Sequence, residues 1–282
     1  YKLLKYFNFM LLGSIAAIFL GRKYDYVFGY NLGALTDMVP AILIRKLYRK
    51  PVLLWVQDPW PESVYAYGYK KSKLLSFFLE LFVGMIYRNV TSILISSKGF
   101  ESKLKPYVNK NLIFNYFPNW ADDLNMDLVG AKFSIDARVH FTFAGNIGKM
   151  QNLDKIINAY SSLSYEYKKK SQLNFIGDGS NLKHLKTLSE NNKYIIFHGS
   201  KPRKDMAKYY KASDFLIISL NDEPVFYATV PAKTQTYIAA KKPILAFING
   251  ETWKSSNFRI RFIPNSAFLV KSSAGYSIYN FR

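Results

Sequence analysis

The amino-acid sequence predicts an α/β protein of two domains, with helix and strand alternating as in doubly wound parallel sheets. Short apolar runs alternate with helix-length amphipathic stretches along most of the chain. Between residues 141 and 250 the junctions hold Gly, Ser, Asp and Lys, as ligand loops at the carboxyl ends of parallel strands do. The 282 residues are 49% hydrophobic and 17% aromatic, enough to fill two ordinary cores.

The first half reads as a helix over 3–20, a strand at Tyr26–Gly29, a helix over 34–48 and a strand at Val52–Val56. A Pro-rich loop, Gln57–Ser63, precedes a long helix over 71–88. A strand at Ser92–Ile95, a short helix over 98–105 and a strand at Leu112–Phe114 complete this half. The second half opens on strand Val139–Phe143. Leu153, Ile156, Ile157, Tyr160 and Leu163 then recur at the spacing of one helical face. Strands at Leu173–Ile176, Tyr194–His198, Phe215–Leu220 and Ile244–Ile248 alternate with helices over 180–190, 203–212 and 233–241. Residues 116–137 have Pro118, adjacent Asp residues and no sustained period. They read as a crossing between a partial first domain (1–115) and a second domain (138–250). Residues 251–282 show neither helical period nor clear alternation and are expected to be an irregular, out-of-frame tail. The chain begins within a helix, without an opening strand and glycine turn, so truncation at both ends is expected.

A net charge of +20 points to anionic partners: phosphorylated substrates, acidic lipid headgroups or nucleic acid. The lysines are scattered, and neither zinc-finger spacing nor an RNA-recognition aromatic motif is present, which favours a membrane surface over nucleic acid. The absence of cysteine excludes disulfides and thiolate metal sites. His140, His184 and His198 are too scattered in sequence to suggest a zinc site. The first apolar run, Phe9–Leu20, falls short of the ~20 residues that span a bilayer. It reads as a buried or half-buried helix, the alternative being an interfacial helix flanked by Lys2, Lys5, Arg22 and Lys23.

Four segments could carry chemistry. Gly145-Asn146-Ile147-Gly148-Lys149 follows a strand and precedes a helix, so its backbone and lysine suit a phosphate, although an ordinary βα turn has the same form. Gly177-Asp178-Gly179 makes a tight strand-end turn, with turn chemistry alone a sufficient reading. Val230-Pro231-Ala232-Lys233 opens a helix with Pro231 near its first turn and sends Lys233 toward the same sheet edge. A diphosphate held between Lys149 and Lys233 would meet two cations. In Trp55–Ser63, tryptophans and prolines surround Asp58 and Glu62, a setting that raises carboxyl pKa values and suits proton transfer or sugar-hydroxyl binding. Hydrolase-elbow, P-loop and zincin motifs are absent.

The set FAGNIGKMQNL, IGDGSNLKHL, IIFHGSKPRKDM, YYKASDFLIISL and TVPAKTQTYIAAKKPIL resembles the C-terminal half of GT-B glycosyltransferases, and WVQDPWPES resembles an N-terminal loop of the same group. More narrowly the pattern is similar to the GT4 family, in the branch that assembles O-antigen, capsule and other bacterial surface polysaccharides, lipopolysaccharide among them. The resemblance spans about residues 20–250. It implies two Rossmann-like domains facing a cleft and a nucleotide-diphosphate sugar on the second. It also implies a lipid-linked oligosaccharide acceptor on the first, transfer with retention, and no metal or other cofactor. Gly145, Asn146, Gly148, Lys149 and Lys233 would hold the diphosphate. Gly199, Ser200, Lys201 and Pro202 would lie by the base, and Ala228, Thr229, Val230 and Pro231 near sugar and ribose. Asp58 and Glu62 would stand at the acceptor side, and the enzyme would be peripheral on the inner face of the cytoplasmic membrane.

The sequence departs from that pattern. Two glutamates common in the family are replaced by Ala228 and Thr236, with Glu223 out of register. The arginine after the first glycine is Asn146, and the turn glycine before Lys242-Pro243 is Lys241. A nucleotide-sugar epimerase of the same fold, or a truncated non-catalytic remnant, are the alternatives these departures leave open.

Overall fold

The computed structural model describes residues 2–66, 69–133, 139–248, 260–263, 267–272 and 275–280. The chain divides into two compact units, Tyr1–Pro118 and Asn119–Arg282.

In the first unit, α1 (Lys2–Leu20) is followed by β1 (Val27–Asn31), α2 (Val39–Tyr48), β2 (Val52–Val56), α3 (Glu62–Ala66) and α4 (Lys73–Tyr87). Then come β3 (Ser92–Ile95), α5 (Phe100–Leu104) and β4 (Phe114–Tyr116). The four strands form one parallel sheet in the order β1-β2-β3-β4. The helix expected over 34–48 is a 3₁₀ turn at Leu35–Met38 followed by α2, with Pro40 in its first turn. Proline has no N–H to continue the ladder, but costs little where first-turn donors are unpaired anyway. α4 starts later than expected because the Ser72 hydroxyl caps it, accepting from the Leu75 N–H at 3.2 Å.

α1 overturns the expectation of a buried or half-buried helix. It runs 19 residues, and Leu4, Phe7, Leu12 and Phe19 are all exposed on its surface. Among the described residues it is one helix long and apolar enough to cross a membrane. It packs on α2 at Gly13, and the turn that follows it does so at Gly21. A Cβ on Gly13 would stand 2.9 Å from Pro40 Cγ, and one on Gly21 2.7 Å from Ile44 Cγ1. The periodicity of Phe9–Leu20 was compatible with either location; only the side chains available to cover it decide.

The second unit holds β5 (Val139–Ala144), α6 (Leu153–Ser161), α7 (Tyr165–Lys168), β6 (Ser171–Ile176), α8 (Leu182–Leu188) and β7 (Ile195–Phe197). α9 (Met206–Ala212), β8 (Phe215–Ser219), α10 (Lys233–Ala239) and β9 (Ile244–Phe247) follow. All five strands are parallel, in the order β7-β6-β5-β8-β9. Strand order therefore reverses between β5 and β8, where open α/β sheets bind their ligands. Both faces are covered. Leu153, Ile156, Ile157 and Tyr160 of α6, with Leu185 of α8, pack on Phe143, Leu173 and Phe175. Tyr210 of α9 and Tyr237 of α10 pack on Ala144, Ile176 and Ile218.

The stretch read as a crossing begins inside β4, and from Asn119 its described part folds onto the second unit. Leu124 and Met126 join the α9–α10 face, and the Ala131 N–H donates to Lys208 O at 2.9 Å. Asp122 pairs with Arg203. Phe133 lies against His140 and His198, with centroids 4.7 and 5.3 Å away. These histidines, distant in sequence, thus meet on one aromatic side chain. His198 Nε2 reaches Asn174 Oδ1 at 2.8 Å, and burial, then Lys201 and His140, lower its pKa.

The tail expected to be irregular contains three antiparallel strands, β10 (Ile260–Ile263), β11 (Ala267–Ser272) and β12 (Gly275–Asn280). Its runs are rich in Phe, Ile, Val and Tyr, which suit a pleated surface even without strict alternation. The remainder of 251–282 lies outside the described residues.

Lys241, where the family pattern has glycine, adopts φ 55° just past α10, and its N–H donates to Ile238 O at 3.0 Å. A side chain in the left-handed region costs about 1 kcal/mol that glycine avoids. Lys241→Gly should raise the melting temperature by about 2–4 °C, read by differential scanning calorimetry.

Candidate functional site

The carboxyl edge of the second sheet is laced together by glycine backbones. The Gly145 N–H donates to Ile176 O, that of Ile147 to Asp178 O, that of Gly177 to Gly199 O and that of Asn181 to Ile147 O, at 2.8–3.0 Å. Gly145 and Gly177 have φ of 128° and 138°, values that side chains rarely adopt. A Cβ on Gly177 would come within 1.9 Å of Gly145 O. The Gly177-Asp178-Gly179 turn therefore fulfils its structural reading: it lets the β5 and β6 turns cross.

The element after Gly145–Lys149 differs from the expected helix start. No α-helix starts directly after it. A 3₁₀ turn, Lys149–Gln151, and Asn152 at φ 50° precede α6. The N–H groups of Gly145 and Ile147 are engaged as above, and that of Gly148 donates to Gln151 Oε1 at 3.0 Å. The N–H groups of Gly145, Ile147 and Gly148 are thus satisfied within the fold. Asn146 is exposed beside Gly148. Lys149 is exposed, and among the described residues its ammonium has no hydrogen-bond or ion-pair partner.

The cation at this edge is Lys233. α10 begins with it, and Pro231 lies just ahead of the helix, near its first turn as expected. The residue as a whole is half-buried, and its ammonium is desolvated. Nζ donates to Ala144 O at 3.2 Å and sits 3.8 Å from the centre of the Phe143 ring. A Cβ on Gly145 would stand 3.2 Å from Nζ, so glycine is what leaves room for the ammonium. The Tyr237 hydroxyl accepts from the Ala144 N–H at 3.0 Å and donates to Ala144 O at 3.2 Å, holding the acceptor in place. Burial lowers the Lys233 pKa to about 7. Among the described residues no carboxylate pairs with it. An uncompensated ammonium is costly to bury, and an arriving anion would relieve that cost.

Ser219 Oγ at the end of β8 and Oγ1 of Thr234, next in sequence to Lys233, are buried without hydrogen-bond partners. The sequence reading missed both; their only signal was position at a strand end and a helix start. Val230 is buried, and Thr229 Oγ1 donates to Val225 O at 3.0 Å. Gly199 has φ 68°, Ser200 is exposed, and the Lys201 ammonium lies 5.9 Å from the centre of the Tyr209 ring. Thr236, where the family places a glutamate, is buried, and its hydroxyl accepts from the Asp122 N–H at 3.4 Å. Glu223 is exposed.

In the first unit, β2 delivers Asp58 and Glu62 to the carboxyl edge of its own sheet. Asp58 is half-buried. Glu62 opens α3; its Oε2 is buried without a partner, and burial raises its pKa against the opposing pull of its own backbone N–H, Lys103 and Lys71. Tyr87, fully buried, and Tyr107 feel the Glu62 charge, and burial is the larger cause raising both hydroxyl pKa values, that of Tyr107 to about 12. Asn31 Oδ1 and Gln57 Nε2 at the ends of β1 and β2 are likewise buried and unpartnered. The sequence reading passed over Asn31 and carried Gln57 only as a member of the Trp55–Ser63 loop. Because folding favours the protonated Glu62, its contribution is present below the ordinary carboxylate range and is lost as pH rises through the raised value. Glu62→Gln should therefore gain stability relative to the parent as pH increases from about 4 to 7, read from paired melting curves.

Residues 132–247 match the family model described as glycosyl transferases group 1. The chain is 27% identical over 235 residues to the probable glycosyltransferase WbjE of Pseudomonas aeruginosa, an alignment covering 80% of this chain and 58% of the relative. Among solved structures it is similar to the lipopolysaccharide outer core galactosyltransferase WaaB in its apo form (TM-score 0.51, 14% identity, 88% of this chain and 63% of that one). It is also similar to an E. coli structure described as trehalose-6-phosphate bound with UDP-2-fluoro glucose (TM-score 0.67, 9% identity, 87% and 64%). With its two parallel α/β sheets, the fold is that of GT-B glycosyltransferases. The chain spans somewhat over half the length of the curated relative it matches.

Proposed function

We propose that the protein transfers a sugar from a nucleotide-diphosphate sugar to a lipid-linked oligosaccharide during O-antigen or capsule synthesis. In this reading transfer proceeds with retention and without a metal ion. The buried, carboxylate-free ammonium of Lys233 at the switch point carries the reading. A leaving diphosphate there would meet fixed positive charge in a site of low polarity. Preorganised charge of that kind usually lowers the barrier more than any other single effect. Lys149 adds a second, solvated cation, and Ser219 and Thr234 offer hydroxyls. The E. coli structure with UDP-2-fluoro glucose supports a nucleotide sugar as donor class, and the names of WbjE and WaaB support surface-polysaccharide assembly.

Asp58 and Glu62 serve the acceptor in this reading, with Asn31 and Gln57 as the buried polar groups that orient its hydroxyls. The net charge of +20 and the exposed apolar surface of α1 support work at the inner face of the cytoplasmic membrane.

The first test is a thermal-shift screen of nucleotide sugars, because a donor at 100 times its Kd stabilises the fold by about 2.7 kcal/mol. The second is transfer of labelled sugar from the best donor to polyprenyl-diphosphate oligosaccharide in EDTA. A melting point indifferent to every nucleotide sugar would refute the reading. Transfer abolished by EDTA would refute its metal-free form.

A further inference from the structure

α4 carries two apolar faces, and the fold uses one. Val83, Gly84, Ile86 and Tyr87 are buried in the first unit. Leu74, Phe77, Phe78, Leu81 and Met85 recur at helical spacing on the other side and are exposed, Phe77 and Leu81 each by 63%. Within the helix body only Ser76 and Glu80 interrupt the apolar character of KLLSFFLELFVGMIY. A water-facing helix of a soluble domain shows a polar outer face, and contiguous exposed aromatics mark an interaction surface.

The amino end supplies the complementary clue. Lys70, Lys71 and Lys73 cluster there beside exposed Tyr69. Lys71, Ser72, Lys73, Ser76, Phe77 and Glu80 line a cavity of about 440 Å³. Cations at the margin of an apolar, aromatic stripe match the layering of a membrane, with anionic headgroups outside acyl chains. α1, also apolar and exposed, packs against the same Leu35–Met38 turn that α4 touches.

We infer that α4 is a lipid-docking helix: its Leu74–Met85 face enters the acyl boundary of an anionic membrane while Lys70, Lys71 and Lys73 contact headgroup phosphates. This rests on the peripheral-membrane reading above and deepens it, because α1 is then not the sole contact.

The test is co-sedimentation of the full chain with phosphatidylglycerol/phosphatidylethanolamine vesicles and with phosphatidylcholine vesicles. The parent should bind the anionic vesicles. Phe77→Glu/Leu81→Glu should lower partitioning at least about tenfold. Replacing the three lysines by serine should lower it by on the order of 10²-fold, on anionic vesicles only. Unchanged circular dichroism and melting show that the variants fold. Parent-like binding by the α4 variants, with Leu12→Glu/Phe19→Glu in α1 abolishing it, overturns the role of α4 and leaves the peripheral reading intact. A parent that binds no vesicle overturns both. A parent that self-associates in gel filtration, and becomes monomeric on Phe77→Glu/Leu81→Glu without change in vesicle binding, assigns the face to a second copy.

Discussion

Replacing Lys233 with alanine is expected to lower sugar transfer at least about 10²-fold, the scale of losing one preorganised donor to a developing oxyanion. The reason lies in where the charge sits. Nζ is buried against Ala144 O and the Phe143 ring, so water screens it poorly. Lys149, exposed at the same edge, should matter less, and Lys149→Ala is the comparison that shows it. The lowered pKa adds a second signature. At pH 8 much of the free protein carries neutral Lys233, since its pKa lies at about 7. A bound diphosphate favours the ammonium, so binding takes up a proton, and affinity should fall about tenfold per pH unit above that value. The sign reverses for the fold alone. Folding favours the neutral amine, so ligand-free stability gains as pH rises from about 7 toward the ordinary lysine value of 10.5. Calorimetry in buffers of different ionisation enthalpy reads the uptake, and Lys233→Met should remove both dependences. Transfer within threefold of the parent in Lys233→Ala would take this lysine out of the mechanism.

Gly177→Ala should be the most damaging single-methyl change in the second unit. The added carbon would be 1.9 Å from Gly145 O, a backbone atom held by the crossing of two turns, at φ 138°. Nothing flexible can yield, so we expect a loss of at least about 3 kcal/mol and no donor-induced thermal shift. Gly199→Ala separates clash from strain. Its φ of 68° is also left-handed, but no atom lies within 4 Å of the new carbon. It should cost only about 1 kcal/mol. Equal melting temperatures for the two variants would mean that the turns can part.

Much of the element order was legible because it follows from local pattern. The Leu153–Tyr160 spacing is the inward face of α6, and strands Val52–Val56 and Ser92–Ile95 stand where their apolar runs ended. Boundaries moved where a single residue controls backbone hydrogen bonding, as at Pro40 and Ser72. The three strands in residues 260–280 were missed because their β-forming residues lack the alternation that a one-sided sheet imposes.

By itself the sequence determined a parallel α/β protein with glycine turns and lysines at strand ends, since periodicity and turn chemistry depend on neighbours a few residues apart. Only the tertiary structure decided that the Lys233 ammonium lies against Ala144 O and the Phe143 ring without a counter-ion, that Gly177 packs against Gly145 O, and that Asn31 Oδ1, Gln57 Nε2, Ser219 Oγ and Thr234 Oγ1 are buried and unpartnered. Those facts follow from the strand order β7-β6-β5-β8-β9, which joins segments some 90 residues apart. Burial and desolvation depend on what surrounds a group in space, and no local pattern carries that information.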